Sequence, residues 1–72
     1  MDKQDKEILK LSKLCKHWAD HNITHKENFL KWRNIAQEKG LEYVAGQLDN
    51  AVKMLDKCNE FLLAVYNDLE SE

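Results

Sequence analysis

Apolar residues recur at alternating steps of three and four along almost the whole chain, and this spacing constrains the fold most strongly. It places one apolar stripe on a helix, whereas the two-residue alternation of a β-strand matches neither half. No proline interrupts the repeat, and Gly40 divides it at a point that suits a left-handed helix C-cap. The sequence predicts an all-α antiparallel helical hairpin, with arm one over about residues 4–39, a turn at Gly40 and arm two over about residues 41–69. The stripe consists of Ile8, Leu11, Cys15, Trp18, Asn22, His25, Phe29, Trp32 and Ala36, then Leu41, Val44, Leu48, Ala51, Leu55, Cys58, Leu62, Val65 and Leu69.

A chain of 72 residues is expected to form a single helical domain, residues 1–72, and a lone hairpin of that size has little core. Further apolar residues beside the stripe make each arm wider than one neighbour can cover. We therefore expect two hairpins to pair into a homodimeric four-helix bundle. The additional residues are Leu14, Ile35, Val52, Met54, Phe61 and Tyr66.

A three-helix bundle is the alternative architecture. Thr24 and Glu27 form a capping box, and Asn22 is a poor helix former, so arm one could be kinked or broken near residues 20–24. The stripe stays in phase across this segment, which favours a continuous or gently kinked helix.

Charge and register both favour two arms lying against each other. Residues 1–39 carry a net charge of +3 and residues 40–72 a net charge of −5. In an antiparallel hairpin folded at Gly40, facing residues have numbers that sum to about 80. This register places Trp18 and Trp32 in the core and sets Asn22 level with Cys58.

Three histidines lie four residues apart, at His17, His21 and His25. Helical residues four apart share a face, so two such imidazoles can chelate one ion, and imidazole with thiolate suits Ni or Zn. The predicted metal site has His21 and His25 as ligands, Cys58 or His17 as a third ligand and Asn22 as a hydrogen-bonding orienter. The competing interpretation is a polar layer that sets register and oligomeric state without any ligand.

Other function classes receive less support from the sequence. A basic stripe could contact phosphates, as in an RNA-binding helical hairpin dimer, but acidic residues interleave with it, so a solvated face is expected rather than nucleic-acid binding. No catalytic motif is present, and we expect no enzymatic activity. No apolar run reaches the ~20 residues of a membrane span and no signal peptide is recognisable, so a cytoplasmic location without membrane association is expected. The basic stripe comprises Lys3, Lys6, Lys10 and Lys13.

The string His17-Trp18, His21-Asn22 and His25 resembles that of a small uncharacterised helical family of anaerobes and archaea. Its members occur alone or appended to small nickel-binding accessory proteins of the carbon monoxide dehydrogenase maturation type. The resemblance covers about residues 14–66 and implies a metal-handling or partner-binding accessory protein, with His17, His21, Asn22 and His25 as the positions carried over. Cys58 is not part of that pattern. Further matching positions are Phe29, Trp32, Ala36, Gly40, Val44, Ala45, Leu48, Ala51 and Asn59.

Together these observations predict a small non-enzymatic cytosolic accessory protein, a helical dimerisation or interaction module with a Ni or Zn site in its central layer. A protein partner in metal handling fits that role. The alternatives are a purely structural oligomerisation module and an RNA-binding hairpin dimer.

Overall fold

The computed structural model describes residues 5–71 and contains two long helices, α1 (Lys6–Glu38) and α2 (Glu42–Glu70). They pack against each other as an antiparallel hairpin whose Cα atoms span 54 × 14 × 13 Å. The prediction of an all-helical hairpin is confirmed. The expected start of arm one at residue 4 lies outside the described residues.

Helix α1 begins at a side-chain cap. The Oδ1 atom of Asp5 accepts hydrogen bonds from the backbone N–H of Glu7, at 2.9 Å, and of Ile8, at 3.3 Å. These bonds satisfy two of the amide groups that a helix N-terminus leaves free, a contribution of about 1 kcal/mol. The heptad spacing did not single out Asp5, because a cap lies outside the repeat.

The turn between the helices is a Schellman motif centred on Gly40. Gly40 has a φ of +76°. Its N–H donates to the carbonyl of Gln37 at 3.0 Å, and the N–H of Leu41 donates to the carbonyl of Ala36 at 2.9 Å. This pair of bonds defines the motif, and the left-handed backbone explains why a glycine occupies the position. The predicted turn is confirmed.

Helix α1 runs without a break through residues 20–24, so the three-helix alternative is wrong. A capping box needs a non-helical residue at Thr24, but the backbone there is helical. The side chain of Asn22 instead bonds to α2, and the seam keeps its phase on both sides of this segment. Packing along the whole length of α2 therefore outweighs the local capping signal.

The seam, meaning the line along which α1 and α2 meet, retains alternate members of the predicted stripe and replaces the others by the next residue in the chain. Its fully buried members are mostly small, including Cys15, Ala19, Ala36 and Ala45. The seam consists of Ile8, Ser12, Cys15, Ala19, Asn22, Lys26, Phe29, Arg33 and Ala36 on α1, and of Ala45, Leu48, Val52, Leu55, Asn59, Leu62, Tyr66 and Leu69 on α2.

The expectation that Trp18 and Trp32 lie in the core of the hairpin is wrong, because these side chains are 44% and 55% exposed. The alanines of the seam let the two helices approach closely, and an indole does not fit between them. His25 and Cys58, which the stripe also placed in the seam, are likewise exposed.

The register of the hairpin is within two residues of the predicted one. Residues joined across the seam have numbers that sum to 81 or 82, as in the pairs Asn22–Asn59, Lys26–Asp56 and Arg33–Asp49. In both ion pairs α1 supplies the cation and α2 the anion, as the opposite net charges of the two halves predict.

Candidate functional site

One face of the hairpin carries uncharged side chains along both helices, and we call it the open face. Each of its residues immediately precedes a seam residue, as Trp18 precedes Ala19. The open face consists of Leu11, Trp18, His25 and Trp32 on α1, and of Val44, Ala51, Cys58 and Val65 on α2.

The two rows of the open face point to the same side of the hairpin. One residue corresponds to a rotation of about 100° about the helix axis. Each open-face residue lies one position N-terminal to a seam residue, so on both helices it is rotated from the seam by the same angle and in the same sense relative to the chain direction. Because α1 and α2 run in opposite directions, equal rotations about their axes turn both rows to the same face. The result is one continuous surface rather than two separate stripes.

This surface is apolar and largely accessible. All of its residues except Ala51 are exposed, including Leu11 and the two tryptophans. Met54 and Phe61 border it on α2, at 66% and 64% exposure. Monomeric soluble proteins rarely leave a contiguous apolar surface of this length uncovered, and such surfaces mark interaction sites.

The opposite face differs in composition. It holds the residues that immediately follow seam residues such as Cys15 and Asn22. These mix apolar side chains such as Ile23 and Leu63 with charged ones such as Lys16 and Glu70. The ion pairs Lys26–Asp56, at 2.7 Å, and Arg33–Asp49, at 3.0 Å, also bridge the helices on this side. Charged groups thus keep this face hydrated.

A polar network crosses the seam at the middle of the hairpin. The Nδ2 group of Asn22 donates to Oδ1 of Asn59 at 2.9 Å and lies 3.6 Å from Sγ of Cys58. Nδ2 of Asn59 in turn donates to the carbonyl of Ala19 at 3.1 Å. The structure therefore brings Asn22 and Cys58 together as predicted, adds Asn59 to the layer, and directs the amide N–H of Asn22 to α2.

The histidines lie beside this network, and two of them converge. Nε2 of His21 and Nε2 of His25 are 2.9 Å apart, and their rings meet edge to face with centroids 4.5 Å apart. The rings of His17 and His21 are stacked, with centroids 6.2 Å apart. His17 faces away from α2 and lines a shallow groove with Lys10 and Lys13. The ladder thus winds around α1, and only its last two members form a close pair.

A single hairpin does not assemble a complete metal site from these residues. Among residues 5–71, no group of three or more His, Cys, Asp or Glu side chains is arranged to hold a metal ion. His21 and His25 supply two converging nitrogens, and Cys58 is engaged by Asn22.

The basic stripe borders the groove that His17 lines. Lys6, Lys10 and Lys13 surround it, together with apolar side chains of Leu9 and Leu14. Lys3, the remaining member of the predicted stripe, lies outside the described residues. Neither helix within residues 5–71 contains a stretch long and apolar enough to cross a lipid bilayer.

The fold and the open face define a class of small helical domain, the two-helix hairpin with one uncovered apolar face. Residues 11–69 match a family described as a domain of unknown function, DUF8180, and the chain belongs to this family. The match covers most of both helices, the turn and the whole open face. Comparison with curated proteins and with solved structures gave no match.

Proposed function

We propose that this protein is a non-enzymatic self-association module, in which two hairpins pair through their open faces to form a four-helix bundle. The observation that carries the proposal is the open face itself: eight uncharged positions at heptad spacing, on one side of the hairpin, with two tryptophans exposed among them.

The weak core of one hairpin supports this proposal. No large side chain among residues 5–71 is fully buried, and the buried apolar set consists mainly of Ala and Cys. Burial of apolar surface contributes roughly 25 cal/mol per Å², so small side chains stabilise a fold little. A second copy would bury the indole rings of Trp18 and Trp32, which carry much of the apolar area that remains in contact with water.

The size of the face also suits a second copy. A partner lying along the full length of the hairpin would cover a Cα footprint of 54 by 14 Å, about 750 Å², close to the ~800 Å² that each partner buries in a stable interface of standard size. A second hairpin matches this long, straight surface in length and in apolar spacing, because it carries the same repeat.

Sedimentation of a matched pair of variants tests the proposal. Trp18→Glu places a charge on the open face, and Ile23→Glu places one on the opposite face of the same helix, at a side chain of similar exposure, 44% against 50%. We expect the wild type and Ile23→Glu to sediment as dimers of twice 8.5 kDa. Trp18→Glu should weaken the dimer at least ~100-fold, since burying an unpaired carboxylate costs several kcal/mol.

Phe61→Glu, on α2 at the border of the open face, provides a second disrupting variant, and far-UV circular dichroism checks that each chain remains helical. A wild type that sediments as a monomer at about 100 μM, far above the Kd of a specific dimer, would contradict the proposal. The open face would then belong to a different protein partner. Equal weakening by Ile23→Glu and Trp18→Glu would place the interface elsewhere.

A further inference from the structure

We propose that pairing of two hairpins completes a transition-metal site, in which the His21–His25 pairs of both copies bind one divalent ion of the Zn or Ni type. This inference rests on the proposed dimer, because one hairpin supplies only two of the ligands.

The first observation is the convergence of two nitrogens on one point. Nε2 of His21 and Nε2 of His25 are 2.9 Å apart. Two imidazole nitrogens at the usual 2.0–2.1 Å from one ion lie about 2.9 Å apart for a right-angled arrangement and about 3.4 Å apart for a tetrahedral one. The pair is therefore close to chelating geometry, and both side chains are exposed and free to adjust by the remaining few tenths of an ångström.

The second observation is the position of the pair along the hairpin. Asn22 is the middle residue of α1, with sixteen helical residues on either side. His21 precedes it, and His25 follows by three residues on the open face. The pair is thus at the middle of the hairpin's length, with His25 on the open face and His21 beside it on α1.

One of the two symmetric arrangements of the dimer brings the two histidine pairs together. Identical faces meet about a two-fold axis that lies in the plane between them, either along the helices or across them. An axis along the helices sets α1 against α2 of the second copy, so the two histidine pairs would lie at diagonal corners of the bundle. An axis across the helices sets α1 against α1 and reverses the long direction, and full overlap of the faces puts that axis at their midpoint. The proposed site therefore uses the axis across the helices, which places the four imidazoles at the middle of the bundle on the same side.

The chemistry of the ligands selects the ion. Neutral imidazole nitrogens bind Zn, Ni and Cu in preference to Ca and Mg, which require oxygen ligands. The surrounding open face offers few competing hydrogen-bond acceptors, because its neighbouring layers hold Trp18, Trp32 and Ala51. Without an ion the imidazoles can hydrogen-bond in pairs, as His21 and His25 do within one chain.

The test uses the full chain, stripped with a chelator and titrated with Zn²⁺ alone and with Ni²⁺ alone. Native mass spectrometry gives the stoichiometry and calorimetry gives the affinity. We expect one ion for every two chains. His21→Gln and His25→Gln should each weaken binding about 100-fold or more, because they remove two of four linked ligands. His17→Gln is the matched control, since this histidine lies on the same helix outside the converging pair, and it should bind like the wild type.

Sedimentation of the stripped protein separates this inference from the proposed function. If the stripped wild type is dimeric but binds no ion, the metal site is overturned and the proposed dimer is not. The same holds if His25→Gln binds the ion as tightly as the wild type does. An ion bound at one per chain also overturns it. A wild type that is monomeric with and without the ion overturns the proposed function, and the shared site with it. Because His21 and His25 are exposed, their variants should keep the helical circular dichroism of the wild type.

Discussion

Gly40 and Gly46 are the two glycines of the chain, and their backbones differ. Gly40 occupies the left-handed region at the turn, whereas Gly46 lies within helix α2. A Cβ atom added at either position would meet no atom within 4 Å, so the difference between the two sites lies in the backbone alone.

This contrast predicts opposite effects of the same substitution. Gly40→Ala should lower the free energy of unfolding by about 1 kcal/mol, because an L-residue is strained in the left-handed region. Gly46→Ala should raise it by about 0.5–1 kcal/mol, because alanine favours the helix over the unfolded chain. Urea unfolding at one fixed protein concentration measures both changes. Two changes of the same sign would contradict the assignment of a Schellman turn at Gly40.

Sequence reasoning was accurate for residues whose role is local. Gly40 indicates the turn, because few other residues tolerate the left-handed backbone conformation. The polar layer around Asn22 was also recognisable, since polar residues interrupt an otherwise apolar repeat. Asp5 was missed because its role depends on where α1 begins, and helix ends are the least predictable part of a sequence.

At the scale of the helices, α1 combines a local signal for a break with a long-range pattern that continues through it. Thr24 is exposed on the outer surface of α1, in the middle of the helix. An N-cap threonine accepts hydrogen bonds from the helix that follows it, whereas a threonine inside a helix only lowers helix propensity. These two roles predict opposite signs for the same mutation.

Thr24→Ala should therefore stabilise the protein by a few tenths of a kcal/mol, the difference in helix propensity between the two residues. Asp5→Ala, at the cap that begins α1, is the matched comparison and should destabilise it by about 1 kcal/mol. Thermal or urea unfolding of both variants measures the sign of each change in the free energy of unfolding. A loss of about 1 kcal/mol for Thr24→Ala would mean that a second helix starts at residue 24 in solution.

The seam illustrates why the pattern of a helix does not fix its neighbours. A heptad repeat shows which side of a helix is apolar, but it leaves open how that side is divided among several partners. In this hairpin α2 packs against the alanine-lined part of the apolar side of α1, and Trp18 and Trp32 lie outside this contact. The small residues that decide this division, Ala19 and Ala45, are also common on helix surfaces, so they gave no distinctive signal in the sequence.

At the scale of the whole molecule, the sequence indicates too many apolar residues for one hairpin, and the structure places much of the excess, including both tryptophans, on one face. The expected pair of histidines was predictable from spacing alone, because residues four apart share a helix face. Their position relative to the open face, with His25 on it and His21 beside it, was not, since it depends on which residues the seam between α1 and α2 excludes.

Coupling between folding and pairing gives the last prediction. If two chains fold into one bundle, unfolding releases two separate chains. The free energy of unfolding of the dimer therefore rises by about 1.4 kcal/mol for each tenfold rise in protein concentration. Since a bundle of two such chains unfolds with an enthalpy of roughly 100 kcal/mol, the wild-type Tm should rise by about 5 °C for each tenfold increase. Scanning fluorimetry from about 1 to 100 μM measures this slope, and the Ile23→Glu variant should reproduce it. Trp18→Glu should show a lower Tm that does not vary with concentration, because its charged face leaves each hairpin with only the seam of α1 and α2 to hold it together. A wild-type Tm that stays constant over this range would mean that the small seam is sufficient for stability and that the open face does not take part in folding.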